Sequence, residues 1–414
     1  MDERLGFGVF LAPHHPTGES PTLQLQRDLQ LATLLDDLGY DELWVGEHHS
    51  GGWETIASPE MFLAAASMVT YRIKLGTGVI SIPYHHPFTV AQRIVMLDHL
   101  SRGRAMLGVG PGALPSDAFM LGIDPMTQRD QMDEGLGVII RLLTEREPIT
   151  VDGSWYRLRD AALHLRPIQR AMPIGVASMI SPAGMKCAGK YGVGVLSVGS
   201  YLPEGLSALQ TQWGFAESSA EEHGKQVDRA NWRIVMPFHI SDSKEQAMRE
   251  VAEGLKRWNN EYVVGILGRP DGKVFEDGYE AALFMNEMGG GIFGTPEDAI
   301  EKLAKLKNLS GGFGTVLSFA HDWAPREKMW RSYELLARHV IPACQDQLVS
   351  IDRSAARVSA NKEKLMGAVA GAIMKAISSD QKAVEAFAKS AEMGAFSLAP
   401  AQKAAAEDAS RSGK

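Results

Sequence analysis

The sequence predicts a parallel α/β fold that closes into a TIM barrel of eight β/α units. Apolar runs of strand length alternate with longer segments of helical period throughout residues 5–340, the pattern of a parallel sheet covered by helices. Eight such units suit a barrel, because closure leaves the sheet without edges. A doubly wound open sheet is the alternative. The turn GVGPGA at 108–113 matches a relaxed dinucleotide-binding pattern, but it ends the fourth strand and is soon followed by proline, so the barrel is favoured.

Each predicted strand is short, apolar and bounded by turn residues. The eight runs are LGFGVFL at 5–11, ELWVG at 42–46, IKLGTGVI at 73–80, RAMLGVG at 104–110, PIGVAS at 173–178, GVGVLSV at 192–198, WRIVMPFHI at 232–240 and GFGTVLSFA at 312–320.

Helical segments fit between these strands, and three of them begin at a hydroxyl residue followed by proline. A hydroxyl caps a free backbone N–H at the helix start, and proline suits the first helical position because it has no N–H to satisfy. The predicted starts are Ser58-Pro59, Ser181-Pro182 and Thr295-Pro296.

Two segments do not fit the β/α repeat. Residues 146–172 alternate polar and apolar side chains around Asp152-Gly153, which predicts an inserted β-hairpin. Residues 261–294 are glycine-rich and of mixed character. A connection of this length in a compact domain is usually a lid or a binding loop, so we expect a lid here.

The chain is predicted to contain a barrel domain at residues 1–345 and a helical C-terminal extension at residues 346–414. After about residue 350 the sequence becomes rich in alanine and lysine, with stretches of amphipathic helical pattern. We expect these helices to pack on the outside and the last residues, AQKAAAEDASRSGK, to be frayed.

Composition limits the class of protein and its partners. The 414 residues are 45% hydrophobic and carry a net charge of -8, which predicts a soluble globular protein that binds neither nucleic acid nor anionic membranes nonspecifically. Cys187 and Cys344 form no disulfide or zinc spacing, as is typical of a reducing compartment. No signal peptide or spanning segment is predicted, so we expect a cytoplasmic protein with small-molecule partners.

Polar residues gather at the predicted C-terminal ends of the strands, where TIM-barrel sites lie. Adjacent histidine pairs on separate strands match metal-ligand spacing poorly, and few free carboxylates accompany them in the sequence, so metal binding is disfavoured. No serine lies in a G-x-S-x-G turn, which disfavours a hydrolase. The histidine pairs are His14-His15, His48-His49 and His85-His86.

Glycines in and after the third and fourth strands predict either a flat ligand close to the backbone or tight barrel corners. These glycines are Gly76, Gly78, Gly108, Gly110 and Gly112. The stretch ASMISPAG then offers the hydroxyls of Ser178 and Ser181 at the start of a helix, which suits a phosphate. Arg129 is the candidate for the matching positive charge.

The sequence resembles the bacterial luciferase-like flavin-dependent monooxygenase family over about residues 5–345. The resemblance rests on GEHH after the second strand, KLGTGVISIPYHHPFTVAQRIVMLDHLSRGRAMLGVGPG over the third and fourth, FMLGIDPMTQRDQMDE after them, and GTPEDAIEKL before the eighth. The second of these stretches is long and specific. Within the family, RLGFGVFLAPHHP, PGALPSDAFMLGIDP and RWNNEY are similar to the limonene monooxygenase group.

The resemblance implies a barrel, usually dimeric, that binds reduced FMN delivered by a separate reductase. It also implies reaction with O2 through a flavin peroxide that oxidises a small apolar substrate. By motif, His48 matches the catalytic histidine, and Gly78-Val79 falls where the family often has a non-proline cis peptide under the flavin ring. The positions that hold the flavin phosphate are matched by Arg129, Ser178 and Ser181.

Two departures from the family pattern concern this phosphate. Pro111 stands where luciferase carries an arginine, and Ala177 stands where it carries a glutamate. Phosphate binding here is therefore expected to depend more on Arg129 and on backbone amides.

The reaction and the substrate pocket follow from the same resemblance. The limonene-like motifs favour epoxidation of a terpene alkene, with Baeyer-Villiger oxidation of a ketone as the alternative. In either case His48 would give or take a proton, since the pKa of a histidine lies near 6.5. Glu47 would orient the His48 ring or pair with an arginine. The candidate apolar pocket residues, which could equally be core, are Trp53, Met61, Phe62, Phe119 and Met120.

Two other functions suit the same barrel. A deazaflavin-dependent oxidoreductase would use a related cofactor, and a flavin-binding protein without catalysis would need neither a base nor a lid. His48 and the 261–294 segment favour an enzyme over the second of these.

Overall fold

The computed structural model describes residues 4–12, 14–269 and 272–392. The chain divides into two compact units, one ending at Gln345 and the other beginning at Asp346.

The first unit is a closed parallel barrel, as predicted. Its strands are β1 (Gly6–Leu11), β2 (Glu42–Val45), β3 (Lys74–Thr77), β4 (Ile80–Ser81), β5 (Ala105–Gly110), β6 (Ile149–Asp152), β7 (Arg157–Ala161), β8 (Ile174–Ser178), β9 (Gly194–Ser197), β10 (Trp232–Ile240), β11 (Ile292–Gly294) and β12 (Thr315–Phe319). The barrel runs β1, β2, β3, β5, β8, β9, β10, β12, and β12 pairs back to β1 with Gly6 opposite Thr315. The open-sheet alternative is therefore wrong.

The third predicted strand differs in detail from the observed one. The run at 73–80 divides into β3 and the short β4, which pairs with β5. The peptide bond between Gly78 and Val79, where the chain leaves β3, is cis.

Helices alternate with the barrel strands, and three more follow in the second unit. They are α1 (Pro21–Leu38), α2 (Pro59–Ser67), α3 (Pro87–Leu100), α4 (Pro115–Leu121), α5 (Gln128–Thr144), α6 (Ala183–Tyr191), α7 (Pro203–Glu222), α8 (Lys244–Arg257), α9 (Gly278–Glu287), α10 (Pro296–Ser310), α11 (Arg326–Leu335), α12 (Ile341–Cys344), α13 (Val349–Ala360), α14 (Lys362–Ser378) and α15 (Gln381–Glu392). Single π-helical stretches follow α8 at Trp258–Val264 and α11 at Leu336–Val340.

The three predicted helix starts have different outcomes. Thr295 caps α10 as predicted, in a reciprocal capping box with Asp298. Ser58 occupies the cap position of α2, but its side chain makes no capping hydrogen bond. The third prediction is wrong, because Pro182 itself has helical dihedral angles at the cap position and leaves Ser181 outside α6.

The barrel interior is filled by Trp44 and a buried ion pair. Arg233 donates to the two carboxylate oxygens of Glu42 at 2.6 and 2.8 Å, and Trp44 Nε1 donates to the same carboxylate at 2.8 Å. A Cβ atom at Gly76 or Gly108 would lie 2.5 or 3.0 Å from the indole. These two glycines therefore leave room for Trp44, which matches the barrel-corner alternative and not the flat ligand.

The inserted hairpin is confirmed, and the predicted lid needs correction. β6 and β7 are antiparallel, with Asp152 opposite Arg157. Residues 261–294 are not one structureless loop, because they include the end of the Trp258–Val264 π-helix, α9 and β11, which pairs with β10. A three-residue strand and a glycine-flanked helix carry too weak a periodic pattern to be found in the sequence.

The second unit contains α13, α14 and α15. The predicted frayed stretch, AQKAAAEDASRSGK, lies outside the described residues. No helix in the described ranges combines the length and the apolar composition that crossing a bilayer requires.

Candidate active site

A large cavity opens at the C-terminal ends of the barrel strands, with a volume of about 1230 Å³. Its lining combines residues from the ends of β1, β5, β8 and β12 with residues of the following loops and helices. The structure brings together there all the residues predicted to act in catalysis or to bind the cofactor, namely His48, Gly78, Val79, Gly110, Arg129, Ser178 and Ser181.

His48 is held between two carboxylates. Its Nδ1 lies 3.1 Å from Asp117 Oδ2, and its Nε2 lies 3.3 Å from Glu54 Oε2. Burial alone would lower the pKa of His48, but the negative charges of Glu54 and Asp117 outweigh burial and raise the pKa above its ordinary value. His48 therefore keeps its proton to a higher pH than an ordinary histidine and is equipped to donate it.

The Glu54 carboxylate contacts three ring-bearing side chains and connects them in one network. Its carboxylate lies 3.1 Å from His14 Nε2, contacts His48, and accepts a hydrogen bond from Tyr262 Oη. Burial would raise the pKa of Glu54, but the imidazoles of His14 and His48 lower it to about 2. Burial and the Glu54 charge raise the pKa of Tyr262, so that hydroxyl stays protonated.

Glu47 has a different role from either of those predicted. It contacts His49 Nε2 at 2.8 Å and His85 Nε2 at 2.6 Å, and it accepts a hydrogen bond from the Ser81 amide at 2.7 Å. It therefore neither orients His48 nor pairs with an arginine. The expectation that few carboxylates accompany the histidines is also wrong, because Glu47 contacts two of them. In the described ranges, no group of three or more His, Cys, Asp or Glu side chains has a geometry suited to a metal ion.

The two carboxylates that hold His48 were missed in the sequence. Asp117 lies on α4, 69 residues away in the chain, and it also accepts hydrogen bonds from the His49 amide and from Ser50. Glu54 follows GEHH closely, but the loop that returns it beneath His48 has no regular pattern. The contacts depend on tertiary folding, which a single sequence does not display.

The cavity lining includes polar and cationic side chains of the kind that bind a phosphate. Arg129 and Ser181 are exposed there, and Lys186 of α6 adds a second cation. Ser178 is buried, and its Oγ has no hydrogen-bond partner among the described residues. A buried hydroxyl without a partner costs free energy, so an anion that accepts its hydrogen bond fits beside it. These residues therefore fit the phosphate of FMN.

The positions of the two family departures lie in the same lining. Pro111 and Ala177 both face the cavity and supply no charge to it. The greater dependence of phosphate binding on Arg129 stays a prediction.

Part of the lining, here called the aromatic pocket, is formed by His14, Tyr201, Trp258, Tyr262 and Phe319. The His14 ring centre lies 4.7 Å from that of Tyr262 and 5.1 Å from that of Phe319. Tyr201 packs against Phe319 at 5.5 Å. Side chains from the 261–294 segment continue this apolar lining, among them Val263, Leu267, Phe275, Phe284 and Met285.

The predicted substrate residues lie elsewhere. Met61 and Phe119 are 73% and 85% exposed, Met120 is also exposed, and Trp53 and Phe62 are buried in the core. The cavity lining in the described part of the chain includes none of the five. Apolar character in the sequence does not distinguish residues that line a pocket from residues of the core or the surface. A better signal was available, since Trp258 and Tyr262 both lie in RWNNEY.

Comparison with known proteins identifies the family. The family described as luciferase-like monooxygenase matches residues 5–311. The chain is 48% identical over 355 residues to 4-hydroxyprotoasukamycin monooxygenase from Streptomyces nodosus subsp. asukaensis, covering 85% of this chain and 95% of the relative. It is 45% identical over 345 residues to limonene 1,2-monooxygenase from Rhodococcus erythropolis, covering 82% and 86%.

A solved structure supports the same assignment. The oxygenating constituent of 3,6-diketocamphane monooxygenase from Pseudomonas putida, a type II Baeyer-Villiger monooxygenase in complex with FMN, superposes with a TM-score of 0.70 at 25% identity. The match covers 82% of this chain and 98% of that one. With the cavity at the strand ends and the carboxylate-held histidine of GEHH, these similarities show that the chain belongs to the luciferase-like monooxygenase family and is a flavin-dependent monooxygenase.

Proposed function

We propose that the protein uses reduced FMN and O2 to oxygenate a small apolar substrate, with epoxidation of an alkene favoured over Baeyer-Villiger oxidation of a ketone. The observation that carries the proposal is the position of His48 on the cavity lining, between the carboxylates of Glu54 and Asp117, which raise its pKa. The cavity volume of about 1230 Å³ exceeds the range of roughly 300–1,000 Å³ usual for one small ligand, so a flavin and a substrate can share it.

Reduced flavin supplies the activation of O2, so that one oxygen atom enters the substrate and the other leaves as water. The residues that would hold the FMN phosphate are Arg129, Ser181 and Lys186, with the buried hydroxyl of Ser178 as a further donor. Hydrogen bonds from charged donors to a phosphate are among the strong ones.

The raised pKa of His48 supports the preference for an alkene. Transfer of an electrophilic oxygen atom to an electron-rich double bond is helped by a proton donor. We assign this donation to His48 Nε2, because its contact with Glu54 is the longer of the two carboxylate contacts of the ring. Attack on a ketone carbonyl needs the opposite, a group that takes a proton. The raised pKa of His48 leaves less of the free base at neutral pH.

In this proposal the aromatic pocket and the 261–294 segment also exclude water from the cavity. Water in the cavity would divert the activated oxygen to hydrogen peroxide instead of product. Phe275 is buried, and Asn260 holds its backbone by two hydrogen bonds, of 2.7 Å to the carbonyl and 3.1 Å from the amide. The segment is thus fastened over the apolar lining.

The proposal extends to a separate flavin reductase as the source of electrons, to a homodimer and to a cytoplasmic location. The first two rest on the family resemblance, and the third rests on the use of only two cysteines without a disulfide spacing.

The proposal is tested by oxygen consumption and product analysis with chemically reduced FMN across terpenes, ketones and aldehydes. We expect substrate-dependent oxygen uptake and an oxygenated alkene as the main product. The same assay with the reduced deazaflavin coenzyme is the comparison. Turnover with the deazaflavin alone, or FMN binding without any product, would instead support one of the two other functions.

A further inference from the structure

Two buried ring nitrogens in the aromatic pocket have no hydrogen-bond partner within the described residues. They are His14 Nδ1 and Trp258 Nε1. The two residues are only 7% and 5% exposed, and both belong to the cavity lining. A buried polar atom without a partner destabilises a protein, so such atoms in a binding cavity indicate a polar group on the ligand.

The two nitrogens belong to neighbouring rings in otherwise apolar surroundings. The ring centres of His14 and Trp258 lie 6.0 Å apart, and both rings also pack against Phe319, at 5.1 and 6.4 Å. Because the two rings are in edge contact, one ligand oxygen seated against both can reach both, since a hydrogen bond spans about 2.9 Å.

The hydrogen-bonding character of each nitrogen limits the chemistry of that oxygen. An indole N–H only donates. The Nε2–H of His14 donates to the ionised Glu54, so His14 Nδ1 accepts a hydrogen bond when the ring is neutral and donates one when it is protonated. A hydroxyl satisfies Trp258 and a neutral His14, and a carbonyl satisfies Trp258 and a protonated His14.

We propose that the natural substrate carries a hydroxyl or carbonyl oxygen that binds Trp258 Nε1 and His14 Nδ1, and is not a plain hydrocarbon. This inference rests on the proposed function, because it names the class of substrate that the same cavity takes. The aromatic pocket thereby orients the substrate through one oxygen atom, while apolar side chains contact the rest of the molecule.

Three terpenes with the same carbon skeleton test this inference: limonene, a hydrocarbon; carveol, its alcohol; and carvone, its ketone. Their dissociation constants are measured by calorimetry on the flavin-free protein. We expect carveol or carvone to bind roughly three- to tenfold more tightly than limonene, the gain from one hydrogen bond. Equal affinity of all three, or tighter binding of limonene, overturns the inference.

A pair of variants shows whether Trp258 is responsible. Trp258→Phe keeps an aromatic ring but removes the donor, so it should abolish the preference for the oxygenated terpenes. Trp155→Phe is the control, because Trp155 is not in the cavity lining and its indole nitrogen donates to the His85 carbonyl at 3.3 Å. Its preference should equal that of the parent.

The two proposals fail in different ways. If the oxygenated terpenes bind more tightly but none is oxygenated with reduced FMN, the proposed function fails and the binding preference stands. If limonene is oxygenated and binds as well as carveol and carvone, only the polar contact is wrong.

Discussion

His48, Glu54, His14 and Tyr262 form one proton network, and its charges determine how the site responds to pH. The pKa of His48 is raised, so the protonated ring is retained as the pH rises past the ordinary histidine value and is lost only through the raised pKa. Pairing of the protonated His48 with Glu54 and Asp117 also stabilises the folded protein. This stabilisation is complete below the ordinary histidine pKa and is lost as the pH rises through the raised pKa.

Activity that depends on the His48 proton should therefore fall on the alkaline side, at a pH above 6.5. In Glu54→Gln this fall should move to lower pH, because the largest of the charges that raise the pKa of His48 is gone. The pH dependence of kcat/KM with reduced FMN measures the shift.

Glu47→Gln is the control for that measurement. Glu47 contributes least among the named causes that raise the pKa of His48 and contacts other histidines, so its profile should move less. Equal shifts in the two variants would count against Glu54 as the group that tunes His48.

Arg129 should contribute to flavin binding through the phosphate. Arg129→Ala is expected to weaken FMN binding by ~1–3 kcal/mol, the range for a hydrogen bond to a charged group. Titration of the protein with FMN, followed by fluorescence quenching, gives the affinity. Arg170→Ala removes an exposed arginine that is not in the cavity lining and should leave the affinity unchanged. Unchanged affinity in Arg129→Ala would place the phosphate elsewhere.

Ser178 should show opposite effects on stability and on binding. Its buried Oγ has no described partner, so Ser178→Ala should increase the free energy of unfolding of the flavin-free protein by about 1 kcal/mol, seen as a higher melting temperature, and weaken FMN binding by about 1 kcal/mol. Ser310→Ala is the contrast, since that buried hydroxyl donates to the Lys307 carbonyl at 3.2 Å, and its loss should reduce stability. A lower melting temperature in Ser178→Ala would show that the hydroxyl is satisfied without ligand.

The segment that lines the aromatic pocket is the element whose form matters most for function. The π-helical stretch Trp258–Val264 carries both Trp258 and Tyr262 into the cavity lining, and such stretches are frequent at functional sites. Residues of α9 add further apolar side chains to the lining. The 261–294 segment, expected as a loop, is thus folded and contributes side chains to the cavity lining.

Loosening the 261–294 segment should uncouple oxygen use from product formation. Asn260→Ala removes the two hydrogen bonds to the Phe275 backbone and should leave FMN affinity nearly unchanged while raising the fraction of O2 released as hydrogen peroxide. Peroxide and product are quantified in the same reaction. Asn308→Ala, on the exposed face of α10, is the control. The same peroxide fraction in both variants would mean that the segment does not exclude water.

The strands and the inserted hairpin could be predicted from the sequence because each has a repeating apolar pattern. β11 and α9 could not, since one has three residues and the other lies between glycine-rich stretches. The residues predicted to bind the cofactor were identified as one group because the family motifs mark them, and the structure places them on one cavity lining. The partners of His48 were not, because Asp117 reaches it only through the packing of α4 against the loop that follows β2.

At the scale of the whole barrel, closure explains why residues distant in sequence meet at one site. Parallel strands all end at the same rim, so the ends of β1, β5, β8 and β12 surround one cavity. Trp44 and the Arg233–Glu42 pair fill the interior, which leaves the rim as the place for a ligand. The candidate site residues therefore lie at the rim and in its loops, and the barrel strands fix their positions.

The most direct test of oxygen transfer assisted by His48 is a single-turnover reaction with reduced FMN, isotope-labelled O2 and carveol or limonene. We predict that the parent protein places one labelled oxygen atom in the epoxide, and that His48→Gln retains FMN affinity but loses at least about tenfold of product formation. A product without label, or full product formation in His48→Gln, would contradict the account.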